Sequence, residues 1–157
     1  MDPSIQQSIV NTLQYLEQLG IEFERIEDSE AAWLILGSIR TSIGQIRISV
    51  MLRTLERQFV AYAFHPLVVV QPIRGRTAEF IARANYGLPM GKFELDMDDG
   101  ELRFSVGALI GDSPLTTDEV AELLDISVGT LAHYHTALIQ TLYDGLPPEE
   151  AVRRADR

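Results

Sequence analysis

Cysteine is absent from this sequence of 157 residues. The chain therefore has no disulfide, no thiolate ligand for a metal ion and no cysteine nucleophile. Long hydrophobic runs are also absent, since no apolar stretch approaches the roughly 18 residues that cross a bilayer. The first residues lack the basic start and the apolar block of a signal peptide. Together these absences predict a cytoplasmic protein that has no membrane as its partner.

Positive charge is scarce and unevenly distributed. The chain has 13 basic and 23 acidic residues, which give a net charge of −10. Residues 37–92 nevertheless hold eight basic and two acidic residues, whereas the segments before and after them are acidic. The acidic total disfavours nucleic acids and anionic membranes as partners. The basic middle is consistent with internal ion pairs, with a self-complementary dimer surface, or with simple surface solubility.

The hydrophobic pattern predicts one α+β domain over residues 1–157, in which an antiparallel sheet packs against helices. The predicted order is α-β-β-β(-β)-α-β-β-α, followed by a short terminal helix. Gly129 could interrupt the last long helix. The predicted helices cover residues 3–19, 76–86, 117–144 and 149–155, and the predicted strands cover 21–26, 32–36, 46–53, 59–64, 93–98 and 102–108, with Asp99 and Gly100 in the hairpin turn.

The residues that could carry chemistry do not have the spacing of known sites. His133 and His135 are two apart on a predicted helix and face different directions, and His65 adjoins a proline. The acidic run at residues 96–101 lacks the glycine and the glutamate that a calcium loop needs at its sixth and twelfth positions, so it is interpreted as a solvated hairpin tip. No phosphate loop or catalytic triad motif is present. We therefore expect no catalytic residues, no metal, no cofactor and no enzymatic activity.

One alternative function is suggested by residues 117–134, which resemble a DNA-binding helix-turn-helix. Ala121 and Leu131 occupy the small and apolar positions of such a motif, and Ser127 lies near the start of the reading helix. Asp125 stands where the turn usually has glycine. No Lys or Arg occurs between Arg103 and Arg153, which opposes contact with phosphates. A DNA-binding regulator is therefore the alternative to a protein-binding function.

One set of positions in the second half of the chain carries a resemblance to a known family: Asn85, residues 91–96, 99–104 and 114–134, Leu138, Leu142, Gly145 and residues 148–151. In these positions the chain resembles the YbjN-like family of proposed bacterial sensory transduction regulators. The resemblance covers roughly residues 80–152 and implies a fold similar to that of the type III secretion chaperones. Those chaperones form homodimers that hold an extended segment of a client protein. The family has no established catalytic residues.

The composition, the element order and this resemblance lead to one hypothesis: a homodimeric protein-binding module of regulatory or chaperone-like character. Its expected contact surface combines arginine with apolar residues, a mixture that is enriched at interfaces. The alternative is that Met51 and Phe80 are ordinary core residues. The surface is predicted to include the outward side of the third strand and the second helix, with Arg47, Ser49, Met51, Arg53, Arg76, Phe80 and Arg83 as candidates.

Overall fold

Six strands form one antiparallel sheet with the order β1-β2-β3-β4-β6-β5. This architecture comes from a computed structural model, which describes residues 2–28 and 32–157. A 3₁₀ turn at Gln71–Ile73 precedes the second helix. The elements are α1 (Pro3–Gln18), β1 (Phe23–Asp28), β2 (Ala32–Thr41), β3 (Gly44–Arg53), β4 (Gln58–Phe64), α2 (Arg74–Gly87), β5 (Lys92–Leu95), β6 (Leu102–Leu109), α3 (Thr117–Tyr143) and α4 (Pro148–Ala155).

The helix ends follow local signals in the sequence. The Asp2 carboxylate accepts a hydrogen bond from the Ser4 N–H and caps α1. Gly20 adopts a φ of 65° directly after that helix, a conformation that glycine reaches without steric cost. Thr116 and Glu119 form the predicted capping box at the start of α3. These capping contacts are local in sequence, so they define the ends of the helices independently of tertiary contacts.

The helices pack on one side of the sheet, and the strands alternate accordingly. α3 lies across β4 and β6, α1 packs beside α3, and α2 and α4 contact α3 near β5. Alternate side chains of each strand point to this side and are buried. The buried residues of the four central strands are Trp33, Ile35, Ile46, Ile48, Val50, Leu52, Phe59, Ala61, Ala63, Leu102, Phe104 and Val106.

The largest differences from the predicted strand boundaries are in β2 and β5. β2 continues to Thr41, because its second half alternates around Gly37 and pairs with the whole of β3. β5 ends at Leu95, so the hairpin turn is a six-residue connection and the alternation predicted as far as residue 98 is wrong. The four-strand first meander is confirmed. The side chains at positions 25 and 26, which complete the alternation predicted there, lie outside the described residues.

Arg57 joins three segments that are distant in sequence. Its guanidinium donates hydrogen bonds to the Asp2 carboxylate at 2.6 Å, to the Ser4 hydroxyl at 3.0 Å and to the carbonyls of Ile110 and Gly111. Hydrogen bonds from Ser4 and Arg57 hold the pKa of the Asp2 carboxyl well below its usual value. The start of α1, the β3–β4 turn and the end of β6 are therefore held together.

Asn85 of α2 covers the outer edge of β5. Its side-chain amide donates to the Phe93 carbonyl at 3.0 Å, and its side-chain oxygen accepts from the Phe93 N–H at 2.6 Å. The amide thus takes the place that a neighbouring strand would occupy. Edge strands with free backbone groups invite pairing with other chains, and such covering prevents it.

Replacing Asn85 with alanine should remove both hydrogen bonds and leave the Phe93 backbone groups without their partner. We expect a loss of about 1–3 kcal/mol in the free energy of unfolding, measured by urea denaturation. Tyr86→Ala is the matched control, because Tyr86 is 96% exposed on the same helix. Equal stability of the two variants would show that Asn85 does not support the edge of β5.

Candidate functional site on the uncovered face of the sheet

The side of the sheet opposite the helices is not covered by any helix within the described residues. Its side chains form rows across neighbouring strands, because directly paired residues share a face. One row contains Leu34, Met51 and Val60, and another contains Arg47, Phe64 and Arg103. We call this surface the open face and define it by Leu34, Leu36, Arg47, Met51, Val60, Tyr62, Phe64 and Arg103.

Two arginines of the open face lie over aromatic rings. The Arg47 guanidinium carbon is 4.7 Å from the centre of the Phe64 ring, and that of Arg103 is 4.5 Å from the centre of the Tyr62 ring. Such cation–π contacts orient arginine while leaving part of the guanidinium free for hydrogen bonding. The Arg47 side chain is 69% exposed. This arginine is therefore positioned and accessible to a partner.

Carboxylates flank both arginines. Arg47 contacts Glu101 at 3.1 Å, and Arg103 contacts Glu94 at 2.7 Å. Burial raises the pKa of Glu94, but hydrogen bonds from Lys92 and Arg103 outweigh this effect and leave its pKa below the usual value. Glu94 is therefore ionised at neutral pH, and the open face carries ordered charges of both signs around its apolar rows.

The open face is concave in two places. A depression of about 500 Å³ is lined by Leu36, Met51 and Phe64 among others. A second depression of about 540 Å³ lies where β4, β5 and β6 meet, and Val60, Tyr62 and Gly107 line it. Depressions that combine apolar and charged lining residues are suited to hold side chains of a partner.

The structure separates the seven residues proposed as partner contacts into two groups. Arg47, Ser49, Met51 and Arg53 share the open side of β3, as the strand pattern predicted, although Ser49 is buried. Arg76, Phe80 and Arg83 belong to α2, which packs with the helices. The two groups therefore do not form one continuous surface.

Two of the α2 candidates serve the fold itself. Phe80 is 1% exposed and meets the Tyr134 ring edge-on at 6.3 Å between ring centres, so its assignment to the contact surface is wrong and the core alternative is confirmed. Arg76 donates to the carbonyls of Gly145 and Leu146 at the end of α3. Arg83 is exposed and pairs with Glu79 one turn earlier on the helix.

Sequence reasoning missed Tyr62, Phe64 and Arg103 as members of the open face. Their strands were predicted, and the alternation along each strand was visible. What the sequence did not reveal is that β4 pairs with β6, since the two strands are separated by α2 and β5. That pairing places Phe64 opposite Arg103 and Tyr62 opposite Ser105.

The basic middle of the chain is largely used within the molecule. Seven of its eight basic residues contact a carboxylate or a backbone carbonyl. Of the explanations that the charge pattern left open, internal pairing is the one that these contacts support. The contacts join Arg47 to Glu101, Arg53 to Glu56, Arg57 to Asp2, Arg74 to Val69, Met97 and Asp98, Arg76 to Gly145 and Leu146, Arg83 to Glu79, and Lys92 to Glu94.

The helix-turn-helix interpretation of residues 117–134 is wrong. α3 is one continuous helix through this segment and passes Gly129 without interruption. Ser127, which was assigned to the start of a reading helix, is fully buried and donates to the Leu124 carbonyl. Leu123, Leu124 and Leu131 share one buried face, so the segment needs no turn to bury them.

The acidic connection between β5 and β6 is bound to the body of the protein. Asp96 accepts from the N–H of Asp98 at 2.7 Å, and Arg74 donates to the carbonyls of Met97 and Asp98. Gly100 is buried against Val69, where a Cβ atom would lie 2.0 Å from the Val69 carbonyl oxygen. The interpretation as a merely solvated tip was therefore incomplete. Across residues 2–28 and 32–157, no group of three or more His, Asp or Glu side chains could hold a metal ion.

His65 and His135 form a buried contact that the sequence did not predict. The rings stack 5.2 Å apart, and His65 Nε2 lies 3.0 Å from His135 Nδ1. The Leu67 N–H donates to His65 Nδ1, so the proton of a neutral His65 ring is on Nε2 and is donated to His135. The pair joins the end of β4 to the middle of α3 through two neutral rings.

Comparison with known proteins supports this fold. A family model named YbjN, described as "Putative bacterial sensory transduction regulator", matches residues 13–140. The E. coli YbjN structure, described as "a putative transcription regulator", has a TM-score of 0.54 at 16% identity and covers 79% of this chain and 85% of that chain. The Yersinia pestis secretion chaperone SycH, solved with a fragment of YscM2, has a TM-score of 0.48 at 19% identity and covers 80% and 97%. A search of curated proteins finds no match.

The E. coli structure is below 25% identity and indicates fold alone. The mixed α+β class expected from the sequence is confirmed by the six-stranded sheet and the helices that pack on it. In the described part of the chain, the helices are too short or too polar to cross a bilayer.

The histidine pair should make the stability of the protein sensitive to acid. Burial, and then the neighbouring His135, lower the pKa of His65 from 6.5 to about 4. Between these two pH values the unfolded chain therefore binds a proton at His65 that the folded chain does not bind. The free energy of unfolding that is present above pH 6.5 is lost as the pH falls toward 4. The loss from His65 is at most about 3 kcal/mol.

His65→Gln should lose less stability than the wild type between pH 7 and pH 4.5, as measured by urea unfolding at each pH. His133→Gln is the control, because His133 is exposed and lies outside the pair. If the wild type and His65→Gln lose stability in parallel, the buried pair does not determine the acid response.

Proposed function

The chain belongs to the YbjN family, and on this premise we propose that it is a non-enzymatic, cytoplasmic protein-binding module of regulatory or chaperone-like character. The proposal treats residues 1–157 as one domain that acts without a cofactor. Its partner is a protein and not a nucleic acid or a membrane. The observation that carries the proposal is the open face, where apolar rows and aromatic-stacked arginines lie uncovered.

The chemistry of the open face indicates what kind of segment it binds. Met51, Tyr62 and Phe64 provide an apolar and aromatic surface, and these residue types are enriched in the centres of interfaces. Arg47 and Arg53 are exposed at its margin. A segment that presents apolar side chains together with carboxylates would complement this surface, because its carboxylates can accept the remaining N–H groups of the two arginines.

The proposal uses the β3 half of the predicted surface and leaves out the α2 half. Arg47 and Met51 line a depression of the open face, and Arg53 follows on the same side of β3, whereas Phe80 and Arg76 are used within the helical layer. The partner-binding residues of this proposal are therefore Arg47, Met51 and Arg53, joined by the neighbouring aromatic residues of β4.

Charge reversal on the open face should abolish partner binding while leaving the fold intact. We expect that a protein recovered by affinity capture from the native host is lost with Arg47→Glu combined with Arg53→Glu. Quantitative mass spectrometry measures the recovery. Both side chains are about half exposed or more, so the fold should tolerate the changes.

Arg83→Glu is the matched control, because it reverses an exposed arginine on the helical side. It should keep the recovered partner. If the α2 variant loses the partner and the β3 variant retains it, binding takes place on the helical side and the open face is not the site.

The proposal includes a homodimer, which the sequence resemblance to secretion chaperones implies. Size-exclusion chromatography with light scattering should give twice the 17.6 kDa mass of one chain. A mass of one chain at roughly 100 μM would contradict the dimer, because specific assemblies of this type are populated at that concentration. Binding of a partner protein would then be the only part of the proposal that remains.

A further inference from the structure

β6 extends beyond the strand that should protect its outer side. β5 has only four residues and pairs with the first half of β6, so that Lys92 lies opposite Ser105. The second half of β6, from Val106 to Leu109, pairs with β4 alone. The side of this short segment that faces away from β4 is therefore a free strand edge, although β6 itself is not the outermost strand of the sheet.

The backbone groups that point to this free edge follow from the hydrogen bonds on the other side. The His65 N–H donates to the Leu102 carbonyl, and the Ile110 N–H donates to the Arg57 carbonyl. Even-numbered residues in this stretch therefore direct their N–H and C=O groups toward β4, and odd-numbered residues direct theirs away from it. Beyond β5 these odd residues are Gly107 and Leu109. The ladder to β4 uses the backbone groups of the even-numbered residues. Among the hydrogen bonds of the described residues, none joins the outward backbone groups of Gly107 and Leu109 to a partner.

The other sheet edges have features that discourage pairing, and this one does not. The Asn85 amide covers β5. The sequence of Phe23–Asp28 at the β1 edge contains four charged residues in six. The segment from Val106 to Leu109 contains no charge and no proline. Natural proteins usually protect strand edges, and an unprotected one marks a site of strand pairing.

We propose that a second copy of this chain pairs with β6 at this edge, antiparallel and centred on Ala108. Gly107 then lies opposite Leu109 of the partner subunit, and Leu109 lies opposite Gly107 of the partner subunit. Because odd-numbered residues direct their backbone outward in both copies, each of these two pairs exchanges two hydrogen bonds. The contact is the same surface on both sides, as a two-fold dimer requires.

The side chains at this edge are complementary to one another. Leu109 is 73% exposed and so is accessible to a second chain. Gly107 has no side chain, and the depression of about 540 Å³ lies beside it, lined by Val60 and Tyr62. Leu109 of the partner subunit, placed opposite Gly107, enters this depression and continues the apolar row of Leu34, Met51 and Val60. One chain thus carries both the protruding leucine and the depression that receives it. This self-complementarity favours a second copy of the chain over a strand from another protein.

The register of the pairing is determined by the surrounding chain. β5 begins at Lys92, so a strand shifted further along β6 would meet β5. A shift by one residue would place the outward N–H and C=O groups of one chain opposite residues whose own backbone groups point away from the contact. A shift by two residues, to a pairing about Leu109, would place Gly107 opposite Gly111 of the partner subunit, whose carbonyl already accepts hydrogen bonds from Ser4 and Arg57. The pairing about Ala108 is therefore the register that satisfies the free backbone groups of both copies.

This inference rests on the homodimer of the proposed function and adds its location. In such a dimer the two sheets become continuous and the two open faces lie side by side. The partner-binding surface would then span both copies, and Arg47 and the half-buried Met51 of each copy would stay uncovered.

The register can be tested with a single thiol, since the natural chain has no cysteine. Directly opposite residues in a non-hydrogen-bonded pair have Cα atoms about 4.5 Å apart, within the range that a disulfide bridges. Ala108→Cys should therefore form a covalent dimer under mild oxidation, seen on non-reducing gels. Leu109→Cys is the matched control on the same strand, because its two copies would lie more than about 7 Å apart. Equal cross-linking of both variants, or none with Ala108→Cys, would overturn the proposed register.

A substitution at the exposed leucine tests the interface itself. Leu109→Lys should raise the dimer dissociation constant at least about ten-fold in sedimentation equilibrium, since the apolar contacts of the leucine with Val60 and Tyr62 would be lost. Leu55→Lys, at a leucine 80% exposed in the β3–β4 turn, should leave it unchanged. A wild-type protein that is monomeric overturns both the dimer and its location. A dimer that is unaffected by Leu109→Lys overturns the location alone.

Discussion

The one-sided burial of an antiparallel sheet is the constraint on which the rest of this structure depends. Ile46, Ile48, Val50 and Leu52 point to the helices, and the residues between them point to the open face. Because the side-chain period of a strand is two, a slip of one residue would exchange the two sets. The same register that completes the core therefore also exposes Arg47 and the apolar rows next to it.

The arginines divide into those that hold the fold and those that remain accessible. Arg57, Arg74 and Arg76 donate to backbone carbonyls at the ends of strands, loops and helices, where carbonyls would otherwise lack a partner. Arg47 and Arg103 lie over aromatic rings of the open face. Most basic residues of the middle segment pair within their own chain, so few remain to attract the acidic residues of a second copy. The uncharged strand edge of β6 is therefore a more direct basis for self-association.

Much of the fold could be predicted, because its signals are local. Asp2, Thr116 and Glu119 act as caps through contacts with residues two or three positions away. The assignment of Phe80 to a contact surface and the turn in the alternative interpretation of residues 117–134 are both wrong for one reason. An apolar or small residue on a helix has the same local pattern whether it faces a partner or the core, and packing of α2 and α3 on the sheet decided between them.

By itself, the sequence determined the alternating faces of β3 and β4, the order of the elements and the absence of cysteine chemistry. Only the tertiary structure decided that β4 lies beside β6, that His65 meets His135, and that Gly107 and Leu109 border a free edge. The physical reason is that periodicity and capping depend on neighbours within a few residues. Strand pairing and edge exposure depend on contacts between residues that are tens of positions apart, and their energies have no local signature in the chain.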